Sequence, residues 1–288
     1  MKNYIFGDTG GHAKPLFASL KELGVDMENY IIPEGIRIIH CGDLIHKGPS
    51  TTALLIRVDK LIRNNPGQWI QILGNHEFQH LEGSPYFWRC NCSIQDIGII
   101  EDWFEEGLAT AAFGIDKITE AKLEVSSKPK IAVPQTGALF VHGGLTYTWW
   151  KKYGQPKTPT AMAHKLNELE VYEVTAAGLM LGYQNPQVGP VWAIGNDEVF
   201  NNWLQAESWG KKMPFMQVHG HTTSYQWRKG EWFRKDREFK KFKEVTKLNP
   251  ETRSVITEVA GNLIIGIDPG FAATADLAKQ PFLTLISE

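Results

Sequence analysis

The sequence predicts an α/β fold on three observations. Short apolar runs rich in β-branched and aromatic residues recur along its 288 residues, each closed within a few positions by Gly. Helical periodicities separate several of those runs. Strand–helix alternation is regular early and looser in the second half, which indicates an α/β core with later strands added. No internal repeat and no Gly/Ser linker interrupts the chain, so residues 1–288 read as a single domain.

Taken in order, the runs have a common ending. Tyr4-Ile5-Phe6 leads into Gly7-Asp8, Ile36 to Cys41 into Gly42-Asp43, and Trp69 to Leu73 into Gly74-Asn75-His76-Glu77. Ala138 to Val141 leads into His142-Gly143-Gly144, Phe215 to Val218 into His219-Gly220-His221, and Leu263 to Ile267 into Asp268-Pro269-Gly270. Runs this short, stopped by Gly, read as buried strands rather than helices. Between them, Leu16, Leu20 and Leu23 form one helical stripe. Leu54, Leu55, Val58, Leu61 and Ile62 form another, with Ser50 or Thr51 as N-cap and Pro66-Gly67 past its end. Thr158-Pro159 opens a helix carrying Met162, Leu166 and Leu169, and Val199, Phe200, Trp203 and Leu204 mark a further one. Glu101, Asp102, Glu105 and Glu106 read as a solvated helix face.

Composition excludes several classes. With 42% hydrophobic and 22% charged residues the chain is globular, and a net charge of −2 argues against a protein whose main role is coating nucleic acid. No stretch approaches eighteen apolar residues, so no membrane span is expected. The run after Met1 is too short for a secretion signal, and three cysteines imply no disulfide framework, so the expected compartment is the cytoplasm. Cys90-x-Cys92 lacks the two-residue gap of a zinc knuckle and has no partner pair, and reads as two reduced thiols.

Ligands of an α/β sheet collect past the carboxyl ends of its strands. Waiting there are Asp8, Asp43, Asn75, His76, His142, His219 and His221. Two carboxylates, an amide oxygen and several imidazoles suit a borderline divalent cation (Mn, Fe or Zn) better than an all-oxygen or thiolate site does. No single helix or hairpin spans the separations from Asp8 to His221, so several loops must converge. For His219 the better reading is a buried imidazole bonded to backbone, for His40 a polar core residue, and for His80 a surface or supporting position.

These blocks carry a family resemblance. Gly7-Asp8, Gly42-Asp43, Gly74-Asn75-His76-Glu77, Val141-His142-Gly143-Gly144 and Gly220-His221-Thr222 resemble the ordered motifs of the calcineurin-like metallophosphoesterases. The phosphoprotein phosphatase and bis-nucleoside polyphosphatase branch is the nearest in flavour, and the likeness runs from residue 4 to about residue 270. It implies a two-sheet β-sandwich flanked by helices, with a dinuclear centre holding one or two divalent ions, Mn first. In that likeness Asp43 bridges the metals, Asn75, His142 and His221 complete the second site, and Asp8 serves the first. His76 donates a proton to the leaving group with Glu77 behind it, while Lys47 and Asn75 meet the substrate phosphate. A metal-bound hydroxide would attack phosphorus in line. The implied activity is phosphomonoester hydrolysis on phosphoprotein or nucleotide substrates. The alternatives are bis-nucleoside polyphosphate hydrolysis, or a non-catalytic metal- or phosphate-binding relative.

The chain departs from the family pattern at named positions. Gly10 stands where the family has a first-site His, and His12, two residues on, is the candidate substitute. His46 replaces the carboxylate that would orient His76, Lys47 replaces a phosphate-binding Arg, and Thr223 stands where many relatives carry another His. Thr9-Gly10-Gly11 could offer backbone N–H groups to a phosphate, and Trp149-Trp150 could reach the site mouth and stack on a nucleobase. Arg228 to Lys247 holds nine Lys/Arg against four Asp/Glu. It reads as a solvated hairpin or helix with a small apolar face, or else as a positive rim that steers a polyanion.

Overall fold

A computed structural model describes residues 1–90, 92–121, 136–176, 188–233, 238–270 and 277–288. The first half runs β1 Lys2–Phe6, α1 Ala13–Glu22, β2 Ile36–His40, α2 Thr51–Asn64, β3 Trp69–Ile72, α3 Asn75–Phe78, α4 Ile94–Glu105 and β4 Ala109–Thr110. Then come β5 Ala112–Ile115, β6 Ile118–Ala121, β7 Ala138–Val141, α5 Tyr147–Lys152, α6 Pro159–Asn167, α7 Val171–Val174 and α8 Phe200–Ser208. The last part holds β8 Met216–His219, β9 Tyr225–Gln226, β10 Glu231–Trp232, α9 Glu238–Glu244, β11 Thr246–Asn249, β12 Ser254–Val259, β13 Asn262–Gly266 and β14 Leu283–Ser287.

The strands form two six-stranded sheets, ordered β4-β3-β2-β1-β14-β6 and β11-β12-β13-β8-β7-β5. In the first, β1 to β4 are parallel and β14 runs antiparallel to both of its neighbours, β1 and β6. In the second, β7, β8 and β13 are parallel. Strand periodicity of two then sorts each residue to a layer. Ile5, Ile39, Ile72, Phe140, Val218 and Ile265 pack between the sheets. Their neighbours Phe6, Ile38 and Leu73 face α1, α2 and α4, while Leu139, Val141 and Ile264 face α5, α6 and α8. The result is a helix–sheet–sheet–helix sandwich.

The expected strands and helices form where the patterns placed them. Leu54, Leu55, Val58, Leu61 and Ile62 are the five buried residues of α2. Thr158 Oγ1 accepts from Ala161 N at 3.2 Å, with Pro159 at the first helical position of α6. The helix around Phe200 starts earlier than its apolar stripe, through a π-helical turn at Gly195–Val199. The basic segment contributes β10, which pairs with β9 just ahead of it, and α9, whose Phe239 and Phe242 are buried against the second sheet's outer layer. Arg234, Lys235, Asp236 and Arg237 lie outside the described residues. No helix among the described residues is long and apolar enough to cross a membrane.

Candidate metal centre

Six parallel strands, three from each sheet, end at one edge of the sandwich, and the residues just past them meet there. Asp8 follows β1, Asp43 follows β2, Asn75 follows β3, His142 follows β7, His221 follows β8 and Asp268 follows β13. Nε2 of His142 lies 3.1 Å from Asp43 Oδ1 and 3.0 Å from Asn75 Oδ1. Ligand atoms of Asp43, His142 and His221 all fall within 4.8 Å of one another. Asp8 Oδ1 accepts from the backbone N–H of His221 at 2.8 Å, and its Oδ2 is buried with no hydrogen-bond partner.

That orphaned oxygen tests whether the residues fit a cation. A buried carboxylate oxygen without a donor is costly unless a positive charge meets it. Burial, with repulsion from Asp268 and Asp43, pushes the Asp8 carboxyl well above the usual carboxylate range. Burial works against the Asp43 carboxylate as well, but His142 and His76 override it and hold its carboxyl far below that range. Burial would depress His142, yet Asp43 and Asp8 hold its imidazole up to about 9. Its Nδ1–H donates to the Cys41 carbonyl at 2.7 Å, so Nε2 is turned toward Asp43 as a ligand atom. The donor set of carboxylates, amide oxygen and imidazoles fits divalent metal ions.

The loops are locked to one another by side chains. Glu77, fully buried, accepts from the N–H of Asp43 at 2.9 Å, of Gly74 at 2.7 Å and of Ile45 at 3.1 Å. It thereby ties the loop after β2 to the start of α3, while burial pushes its own carboxyl to about 7. Gly74 is required where it stands, because a Cβ there would overlap the Asp43 carboxylate and crowd the His142 ring. Gly11 (φ 79°) crosses the backbone of His46 and Gly48 too closely for any side chain. Asp43, His46, Lys47 and His221 all hold φ between 51° and 64°, a strained backbone for non-glycine residues that the surrounding contacts maintain.

His76 sits on the opposite wall. Its backbone N–H donates to Asp43 Oδ1 at 3.1 Å, and its ring Nε2 lies 3.8 Å from Asp43 Oδ2. The Nδ1 atoms of His46 and His76 are 2.7 Å apart, so His46 occupies the place of an orienting partner. Burial lowers His76 to about 4. Lys47 Nζ lies 5.5 Å from the Trp88 ring centre, and burial pulls its ammonium below the usual lysine range against the attraction of Asp43, Asp8 and Asp268.

Other expectations meet different outcomes. The N–H groups of Thr9 and Gly10 donate to Asp43 O at 3.0 and 2.8 Å, and Gly11 N–H donates to Leu44 O at 2.8 Å. These groups brace the second loop and are not offered to a phosphate. Trp149 and Trp150 do not reach the mouth; both are buried in the outer core against α6 and α8. His12 stands at the N-cap of α1, half-buried, in neither cluster of metal-binding side chains, and its ring makes no capping hydrogen bond. His219 is buried with Nδ1–H on Gly220 O at 2.9 Å, and His40 lies between Thr9 and Gln71 in the core.

Sequence reasoning missed two features. Asp268 is buried, accepts from Gly270 N–H at 2.8 Å and is pushed by burial to about 6; the shared strand-then-acid ending was its signal. An aromatic wall lines the centre: Phe87 and Trp88 lie 5.1 and 5.4 Å from the His76 ring, and Trp192 lies 5.7 Å from His221. No spacing rule announces such residues, since each comes from a loop.

Comparison with known proteins agrees with this geometry. The model of the calcineurin-like phosphoesterase family matches residues 1–249. Among solved structures, the cold-active protein tyrosine phosphatase of a psychrophilic Shewanella species superposes with a TM-score of 0.52 at 16% identity, covering 100% of this chain and 75% of that one. A further structure of a cold-active protein tyrosine phosphatase gives 0.53 at 16% identity, covering 99% and 73%, and a point mutant gives 0.52 at 17%, covering 100% and 75%. At these identities the likeness is one of fold. A search of curated protein sequences returns no match. The match of the family model over most of the chain makes it a member of the calcineurin-like phosphoesterase family, a metal-dependent hydrolase of phosphate esters, and the cluster of Asp43, His142 and His221 suits a divalent metal ion.

Proposed function

We propose that the chain, with residues 1–288 acting as one domain in the cytoplasm, hydrolyses phosphomonoesters carried on a phosphoprotein or nucleotide. The observation that carries this reading is the meeting of Asp43, His142 and His221 within 4.8 Å, with Asn75 and the unpartnered Asp8 oxygen beside them. In this reading Asp43 is shared, Asn75, His142 and His221 complete one position, and Asp8 with His12 serves the other. Manganese suits the mixed oxygen and imidazole set. Bound divalent ions supply Lewis acidity at the phosphoryl oxygens and lower the pKa of attacking water. His76 delivers a proton from Nε2 to the leaving oxygen, a contribution of roughly 10²- to 10⁴-fold. Lys47 meets the phosphate as a point charge.

Protein supplied with Mn is expected to hydrolyse p-nitrophenyl phosphate in preference to bis-p-nitrophenyl phosphate and to a bis-nucleoside polyphosphate. No turnover of the monoester by metal-loaded protein sinks the proposal, and preference for the polyphosphate replaces it with the dinucleotide reading. Lys47→Ala is expected to raise KM, with kcat/KM falling roughly 10- to 100-fold, as expected for losing a charge-assisted contact of about 1.5–3 kcal/mol. Steady-state kinetics of the variant checks this. His12→Ala is expected to lower the metal content measured by elemental analysis. An unchanged ratio assigns His12 to the start of α1 alone.

A further inference from the structure

On the far side of His46 from His76, four side chains from two loops, β2–α2 and α3–α4, converge. His46 follows β2, His80 follows α3, and Cys90 and Cys92 precede α4. One ligand atom from each lies within 4.8 Å of every other. The His46 and His80 Nε2 atoms are 3.1 Å apart, Cys92 Sγ is 3.3 Å from His46 Nε2, and Cys90 Sγ is 3.9 Å from His80 Nε2. We propose that His46, His80, Cys90 and Cys92 form a second, separate metal site, a tetrahedral Cys2His2 zinc site.

The separations decide the ion. Zn–N bonds of about 2.0–2.1 Å and Zn–S bonds of about 2.3 Å in a tetrahedron set ligand atoms roughly 3.3–3.8 Å apart. The three contacts of 3.1, 3.3 and 3.9 Å already lie close to that range. Two thiols with two imidazoles are soft enough to select zinc over the hard cations that carboxylates and amide oxygens suit. His46 is engaged at Nδ1 by His76, which leaves Nε2 as its ligand atom; metal-binding histidines are commonly oriented through their other nitrogen in this way.

The surrounding structure holds the cysteines in place. Gln79 Oε1 accepts from Trp88 N–H at 2.9 Å and its Nε2 donates to Trp88 O at 3.1 Å, clipping the loop back onto α3. Ser93 and Asp96 form a reciprocal capping box at the start of α4, and Thr52 Oγ1 donates to Asp96 Oδ2 at 3.0 Å. Cys92, immediately before Ser93, is therefore anchored to both α4 and α2. His46, Cys90 and Cys92 border a cavity of about 610 Å³ that opens to solvent and gives an ion access. Loading exchanges the two thiol protons for the cation, so protons are released as zinc enters.

Cobalt(II) tests the site apart from the phosphoesterase centre, whose ligands include no thiolate. Full-length protein kept reduced and stripped with chelator is expected to show a thiolate-to-cobalt charge-transfer band on titration with Co(II). The band is expected to persist in Asp43→Asn and in Cys41→Ser, and to vanish in the Cys90→Ser/Cys92→Ser double variant, which should hold one metal equivalent fewer. Should the double variant fail to fold, zinc-edge X-ray absorption of the wild-type protein is expected to show sulfur scatterers at about 2.3 Å. Absence of the band from the reduced wild type, its survival in the double variant, or a zinc shell of nitrogen and oxygen alone overturns the proposal.

Discussion

Asp43→Asn is expected to lower kcat/KM for an aryl phosphate by about three orders of magnitude or more while the fold persists. Asp43 Oδ1 lies 3.1 Å from His142 Nε2 and accepts the His76 backbone N–H, so one carboxylate joins the His142 and His221 cluster to the wall bearing His76. Removing its charge weakens retention of the cations that supply several kcal/mol of transition-state stabilisation, and each 1.36 kcal/mol is a factor of ten in rate. Asparagine keeps the shape, so the metal-free melting temperature should change little. The rise in melting temperature that added metal produces in the wild type should be lost. Activity assays, elemental analysis and thermal scans with and without Mn check this together, and a variant with wild-type activity would refute the shared-ligand role.

Glu77→Ala is expected to be the most destabilising single change at the site. Three backbone N–H groups, on Asp43, Ile45 and Gly74, donate to its carboxylate in a fully buried place. Each orphaned buried donor costs about 1–3 kcal/mol, so for three donors the loss should reach roughly 3–9 kcal/mol, a large share of an ordinary domain's stability. Glu77→Gln keeps one acceptor oxygen but points an amide N–H at a backbone N–H. Its stability loss should be smaller, with activity still down about 10- to 100-fold because the Asp43 loop is displaced. Urea unfolding of both variants beside their kinetics separates the two effects. An alanine variant as stable as the wild type would show that Glu77 does not hold the loops.

Much of the core was legible because its rule is local. The short apolar runs of β1, β2, β7 and β13 and the Leu54 to Ile62 stripe are each visible within one element, and the run and stripe residues are largely buried. Strands such as β14 were not foreseen, since its place beside β1 depends on pairing across nearly the whole chain. Trp149 and Trp150 show the limit of proximity in sequence: few residues separate them from His142, yet α5 turns them into the outer core. Thr9, Gly10 and Gly11 show another, because a run of N–H groups says nothing about which carbonyls another loop will bring to it.

The sequence by itself determined which runs form buried strands and the identity of the residues past the strand ends. It did so because side-chain period and glycine stops are properties of neighbouring positions. Only the tertiary structure decided that Glu77 clamps two loops, that Asp268 joins the acidic cluster, and that His46 stands between His76 and the pair Cys90 and Cys92. Those relations connect residues tens or hundreds of positions apart. They arise from two sheets bringing the ends of their parallel strands to one edge, which no local spacing encodes.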